Sequence, residues 1–560
     1  MIRLSPEFLR VKTMLNPTLT QKRSDNKLTI DDRAKKLFGV IYDEKEKIEP
    51  EDNEPKIKVS TLISKMAFFY EKIRNSVDYK DEHLLRKYSI ERILKRQLVI
   101  QGAIEKGRSE EVARHLLTEL IRADYLPNNK IPESKIFEIS RVINKYVKLK
   151  IYSPQDKDKK NNNLTDWIIG LAASEIEERL GRSEISETLV NYMFEVLGKN
   201  IVVTDPAYAK DKEIQIYVGI NRNFFRFDRN MMEFILFKYF NEGWSEAGDE
   251  EIKTIARDIY SIRAAIDYQI DHPISKRLDR IIMRYTVIFS VLSEVIEADP
   301  IGAYNKLKSD VPEFEKTIKA VCEKKYKKTR SKLWGAALRS IIYIFLTKMI
   351  VAIILEVPAT QLLGQTVNAI SLAINIGFPP FLLFLIVLFT RVPSNENTKK
   401  VIEGIKEVVY IEAEKKEPYK VRPFLKKSGS LNTFFGILYA VTFFASFGIV
   451  VWVLGQINFN FISTILFLFF LTLVSFFGLR IRKRVRELHV IEPKENILGL
   501  LGDFFYTPVI AVGKWLSEKF SRMNVLVFVL DFIIEAPFKI FVEVTEEWAK
   551  YVKERREELD

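Results

Sequence analysis

The chain has 560 residues, 87 Lys and Arg against 74 Asp and Glu, a net charge of +13 and a single cysteine, Cys322. That length exceeds what one hydrophobic core organises and predicts at least two structural units, while a lone cysteine excludes an intramolecular disulfide. Four scattered histidines, His83, His115, His272 and His489, show no HxxxH or HExxH spacing, so neither a metal nor another cofactor is expected.

Residues 1–56 read as a flexible arm. NPTLTQKRSDNK and the acidic EKEKIEPEDNEPK (44–56) supply charge, Pro and Asn but few apolar positions. The N-terminus lacks the continuous apolar core of a secretory signal; Arg3, Arg10 and Lys12 fit an exposed basic N-terminus, with an organelle transit peptide as the lesser reading. From Ile57 the pattern turns helical, with Leu62, Ile63, Met66, Phe69 and Ile73 at steps of one, three and four. Further helices are predicted at 109–124, 133–150, 164–181, 186–198, 226–241, 248–269 and 275–298, and a charged helix over 303–332. EIQIYVGI (213–220) alternates like a strand, but one strand has nothing to pair with. The spacing therefore predicts an all-α domain over 57–332.

The mean hydropathy of −0.04 averages this charged portion with four apolar runs, at 333–357, 369–389, 433–454 and 461–479. Each reaches across a hydrocarbon layer of about 30 Å at about 1.5 Å per residue. The expected fold class is all-α: a large N-terminal helical domain, a four-helix transmembrane region and C-terminal interfacial amphipathic helices. Basic residues flank the spans unevenly. Lys324, Lys325, Lys327, Lys328, Arg330 and Lys332 precede span one, ten Lys and Arg lie between Arg391 and Lys427, and Arg480, Arg482, Lys483, Arg484 and Arg486 follow span four. The other two connections, EVPATQLLGQTVN and GQINFN, hold none. The positive-inside rule thus puts the N-terminal domain, the 391–431 loop and both termini in the cytoplasm, with the basic residues on anionic headgroups. That distribution accounts for the high charge without nucleic acid, which is not an expected partner.

The 481–560 portion reads as a basic linker, interfacial helices within 497–545 and a solvated tail. In VLVFVLDFIIEAPFKIFVEV (525–544), Asp531, Glu535, Lys539 and Glu543 recur every four residues as one stripe, as on a helix lying at an interface. A six-span topology using both segments is the alternative that these charges disfavour.

Two features within the spans are candidates for chemistry. Lys348 lies near the middle of span one, with Arg339 toward its cytoplasmic end, and ionisable groups at that depth are functional candidates by default. The favoured reading of Lys348 is structural: it pairs with Asp531 or Glu535, or snorkels, because spans two to four hold no carboxylate. Span two carries Asn375 and then Gly377-Phe-Pro-Pro, where Pro379 and Pro380 are expected to break the helix ladder near mid-membrane; an ordinary kink is the favoured reading and a transporter-like site the alternative. No phosphate-binding loop, dinucleotide turn or nucleophile elbow is present.

EHLLRKYSIERILKRQ (82–97) and NVLVFVLDFIIEAPFKIFVEV (524–544) resemble stretches of uncharacterised multi-pass membrane proteins of small-genome bacteria of the candidate phyla. The resemblance implies a bacterial plasma membrane and no particular activity. The leading expectation is a non-enzymatic membrane scaffold or assembly factor; a protein partner is expected for that reading, and a homo-oligomer for a pore or transporter. Its alternatives are a transporter or channel subunit using Lys348 and the second span, and a lipid-active enzyme using Glu487 and His489.

Overall fold

A computed structural model describes residues 28–46, 54–59, 84–100, 108–154, 163–181, 183–364, 368–413, 417–422, 429–490 and 497–522, with isolated positions at 68, 71–72, 544, 548, 551–552 and 555–556. Helix α1 (Asp32–Glu46) falls within the stretch expected to be a flexible arm and is instead a core element. Ala34, Leu37, Phe38 and Ile41 share one face and are buried. Averaged over residues 1–56 they are outnumbered by charge, so composition conceals a local stripe that periodicity reveals. Residues 1–27 and 47–53 of that arm lie outside the described residues.

The next helices keep close to the predicted stretches: α2 (Leu85–Lys95, extended by a π turn at Arg96–Ile100), α3 (Ser109–Arg122), α4 (Ser134–Tyr152), α5 (Asn163–Gly181) and α6 (Glu184–Asn200). After a short strand β1 (Ile201–Val203) come α7 (Lys212–Asn223), α8 (Arg229–Phe240), α9 (Asp249–Arg257), α10 (Ile259–Ile270), α11 (Ser275–Ala298) and α12 (Pro300–Ser309). Starts are set by local capping, since the first turn's N–H groups lack helical partners. Asp228 accepts from Met231 N at 2.9 Å, and Asp299 from Gly302 N at 2.9 Å with Pro300 opening the helix.

Two cores form in this domain. One gathers residues of α2 to α5 with α8 to α10; the other gathers α1, α6, α11 and α12. Helix α7 lies between them, giving Ile214 and Val218 to the first and Ile216 and Ile220 to the second. Two i, i+4 pairs on opposite faces produce the alternation that resembles a strand in EIQIYVGI.

Helix α13 (Val311–Val351) carries the chain out of the domain and continues through a π turn (Ala352–Glu356) into α14 (Val357–Leu362). Together they form one 52-residue helix, the first of four long and apolar enough to cross a membrane. The others are α15 (Ala369–Leu388), α17 (Gly429–Gln456) and α18 (Phe461–Arg486). Between the second and third, the chain returns to the domain. Val401, Ile405, Val408 and Val409 of α16 (Asn395–Val409) are buried in its second core, and β2 (Tyr419–Val421) pairs in parallel with β1, Ile201 opposite Tyr419. Helix α19 (Ile497–Arg522) packs against α17 and α18: Ser446 Oγ donates to the Phe505 carbonyl at 2.9 Å, and Val509 is buried beside Leu454, Phe467 and Leu471. Apart from the β1–β2 pair and isolated bridges, the described residues are helical wherever regular.

Candidate functional site in the apolar bundle

Along the first apolar helix one face is turned into the bundle: Leu333, Ala337, Ile341, Ile344, Lys348, Ala352, Glu356 and Thr360. The last four steps are all of four residues, which on a regular 3.6-residue helix would rotate the stripe by about 160°. The π turn at Ala352–Glu356 takes up this drift, since each of its turns holds an extra residue, and keeps Glu356 and Thr360 facing inward. Their neighbours Ile353, Ile354 and Leu355 are 63%, 70% and 52% exposed and face outward.

Lys348 is fully buried, with Nζ 4.3 Å from the centre of the Phe470 ring and no hydrogen-bond partner. Its expected partners Asp531 and Glu535, like Lys539, lie outside the described residues. Glu356, two turns further along, is buried at 2% exposure. Its Oε1 accepts from Asn375 Nδ2 and from Ser463 Oγ, both at 2.6 Å, so α15 and the first turn of α18 converge on it. The polar cluster extends outward from there. Thr360 Oγ1 donates to the Glu356 carbonyl at 2.7 Å, Asn460 Nδ2 donates to Thr360 Oγ1 at 3.2 Å, and Asn460 caps α18 by accepting from Ser463 N. Glu356 Oε2 and Asn375 Oδ1 remain buried without a donor.

Pro379 and Pro380 are buried, but they do not break the span, as the sequence led us to expect: α15 is continuous from Ala369 to Leu388. In an apolar medium a chain that opens its helix strands backbone groups, so the helix persists and gives up only the bonds whose N–H the prolines lack. Those bonds would have ended on the carbonyls of Asn375 and Ile376. Asn375 therefore brings a carbonyl free of its usual helical donor to the same level as Glu356.

Other predicted residues take simpler places. Arg339 is exposed toward the domain end of the first span, where its long side chain can reach a headgroup layer. Lys324, Lys327, Lys328, Arg330 and Lys332 are exposed on α13, and Arg480, Arg482, Lys483 and Arg486 on α18, which also carries Arg484. Lys325 instead turns onto the domain, donating to Ser290 Oγ at 2.7 Å and pairing with Glu294 at 2.9 Å. Glu487 pairs with Arg226 at 2.8 Å, and burial lowers the pKa of His489, whose Nε2 lies 3.4 Å from the Arg391 carbonyl. Each is tied to a different structural partner.

Within the helical domain a cavity of about 140 Å³ is lined by Glu177, Glu178, Tyr217, Asn221, Phe225 and Met231. Two of its three acids, Glu177 and Glu178, pair with Arg86 and Lys238, each at 2.8 Å, and Glu187 is the third. Among the described residues no group of His, Cys, Asp and Glu is arranged to hold a metal ion.

Sequence reasoning missed Glu356 because it is the last residue but one of the predicted span and reads as part of its polar end. On a regular helix its spacing of eight from Lys348 would turn it about 80° off the stripe, so 3.6-residue periodicity did not mark it as inward-facing. No family model, no curated protein and no solved structure matches the chain.

Proposed function

We propose that the chain is a membrane-integral scaffold or assembly factor that holds a cytoplasmic helical domain rigidly against the bilayer as a docking platform. The observation that carries this reading is the return of the 391–431 segment into the domain. The Val408 carbonyl accepts from Tyr192 OH at 2.6 Å, Tyr410 OH donates to the Leu307 carbonyl at 2.8 Å, and Glu407 accepts from Tyr285 OH at 2.8 Å. With α13 running unbroken from domain to bundle, two separate connections fix the domain's orientation, as a scaffold requires and a free tether does not. The exposed basic side chains of α13 and α18 supply attraction to anionic headgroups at about 1 kcal/mol each.

The test is the mass and composition of the native complex after gentle detergent extraction from its own membrane. A stoichiometric second protein is the expected result. A closed homo-oligomer without partners overturns the scaffold reading in favour of the second one, a transport subunit, which the buried Lys348 and Glu356 favour. That second reading loses the support of a broken second span.

A further inference from the structure

We propose that Glu356 and Asn375 form a reversible proton-binding site inside the apolar bundle, with Lys348 as its charge counterpart. This goes beyond the scaffold reading and stands or falls independently of it.

A carboxylate offers only acceptors, and a primary amide offers two donors and one acceptor oxygen. Asn375 Nδ2 donates to Glu356 Oε1 at 2.6 Å. On the same two groups Glu356 Oε2 and Asn375 Oδ1 are left, both buried, both acceptors, and neither with a donor. A single hydrogen is what this pair lacks. A proton on Oε2 donating to Asn375 Oδ1 closes the acid and the amide into a ring in which each donates once and accepts once.

The surroundings favour such a switch. A buried carboxylate without full pairing tends to take up a proton rather than remain charged. Glu356 has the means to exist in both forms, because Asn375 and Ser463 already donate to Oε1 and stabilise the anion. Among the described residues few charged groups can bias it. Helix α15 from Ala369 to Leu388 and α18 from Phe461 to Leu479 carry no ionisable group, α17 offers only the exposed Tyr439, and α19 adds the half-buried phenol Tyr506 beside the exposed Asp503, Lys514, Glu518 and Lys519. Lys348 remains, two turns away on the same face and about 12 Å along the axis. That is too far for a direct bond, so the two groups face the bundle interior as a separated pair on one helix face. The site lies near the end of the bundle opposite the helical domain, where Ser371 and Asn460 extend the polar lining to the α17–α18 turn.

Dicyclohexylcarbodiimide, which modifies protonated carboxyls in apolar surroundings, reads the site in the full-length chain reconstituted in liposomes. Peptide mass spectrometry is expected to find the adduct at Glu356, its yield falling about tenfold per pH unit on the alkaline side of its midpoint. Exchanging choline for sodium or potassium is expected to leave the yield unchanged. Glu356→Gln abolishes the adduct, and Asn375→Leu, which removes the ring partner, displaces the midpoint. No adduct in folded wild-type protein, or a yield independent of pH, overturns the proposal. Protection by sodium or potassium also overturns it, because a metal cation then occupies the oxygens assigned to the proton. If Asn375→Leu fails to fold, the wild-type pH profile alone decides.

Discussion

Replacing Glu175 of α5 with alanine tests how the helical domain is held together. This carboxylate is 2% exposed and meets four side chains, accepting hydrogen bonds from three and lying 3.5 Å from Arg179 Nη2. Lys145 Nζ donates to Oε1 at 2.9 Å, while Tyr146 OH and Trp244 Nε1 both donate to Oε2 at 2.9 Å. Lys145 also lies 4.6 Å from the centre of the Trp244 ring. Burial keeps the Lys145 ammonium below its ordinary pKa even with Glu175 beside it, so removing the carboxylate leaves a strongly disfavoured charge. Losing one partner of a buried pair costs about 3–5 kcal/mol. The matching drop in amide protection is a factor of about 10² to 10⁴, since each 1.4 kcal/mol is about tenfold. Native-state hydrogen exchange on the full chain in detergent, read over Ser134–Tyr152 and Asn163–Gly181, measures it. A Lys145→Met/Glu175→Leu double variant, with no charge left unpaired, should lose less than Glu175→Ala alone. A protection loss below about threefold for Glu175→Ala would refute the claim that this network anchors the domain.

Burial and close packing give three further expected outcomes. Cys322 is fully buried and its thiol is pushed up to about 11 from an ordinary 9.0, so iodoacetamide should label the folded chain at least about a hundredfold more slowly than the denatured one. Burial raises the Tyr410 phenol to about 12, against about 10 when unfolded. The folded state then keeps a proton that the unfolded chain releases, so this contribution to stability is complete below about pH 10 and lost as pH rises through about 12. Exchange protection measured across that window should fall, with a shallower slope for Tyr410→Phe; an unchanged slope contradicts the assignment. At Gly513 an added Cβ would lie 2.0 Å from the Thr472 carbonyl oxygen, a backbone atom that cannot swing aside. Gly513→Ala should therefore cost about 1–3 kcal/mol and sharply lower disulfide cross-linking between cysteines placed at Val509 and Phe467.

The four apolar helices were legible in the sequence because a lipid-length run needs no long-range information. Helix ends such as Ser275 and Ala298 were legible for a similar local reason. What escaped depends on neighbours distant in the chain. The β1–β2 pair joins three residues to three more than two hundred positions away, too short a signal for any window. The strand-like spacing in α7 has meaning only once two cores are known to flank it. Pro379 and Pro380 suggested a break on local chemistry, and the apolar setting overrode it. Lys348 was recognised but Glu356 was not, since its inward direction depends on the π turn, which periodicity at 3.6 residues cannot anticipate.

Helix α19 poses the remaining question of topology, and its packing gives a definite expectation. The sequence suggested an interfacial helix at 497–516, yet Phe505 meets Ser446 midway along α17, and Gly513 meets Thr472 midway along α18. Residues 505–513 therefore sit at the depth of the bundle's centre. Measured from Val509 in the middle of that stretch, Asp503 lies six residues before and Lys519 ten after, about 9 Å and about 15 Å along the axis. The half-thickness of the hydrocarbon layer is about 15 Å, so Lys519 reaches one edge while Asp503 lies toward the other, about 6 Å short of it. Cysteines at Asp503 and Lys519, on a Cys322→Ser background, should react with a membrane-impermeant maleimide from opposite faces. Labelling from one face returns α19 to the interface. Labelling from both makes it a fifth crossing, and parity then constrains the rest of the chain: a C-terminal tail on the same face as the helical domain would require 525–544 to cross as well. The stripe of Asp531, Glu535, Lys539 and Glu543 would then face protein instead of headgroups, because four ionisable side chains on one lipid-facing stripe are too costly.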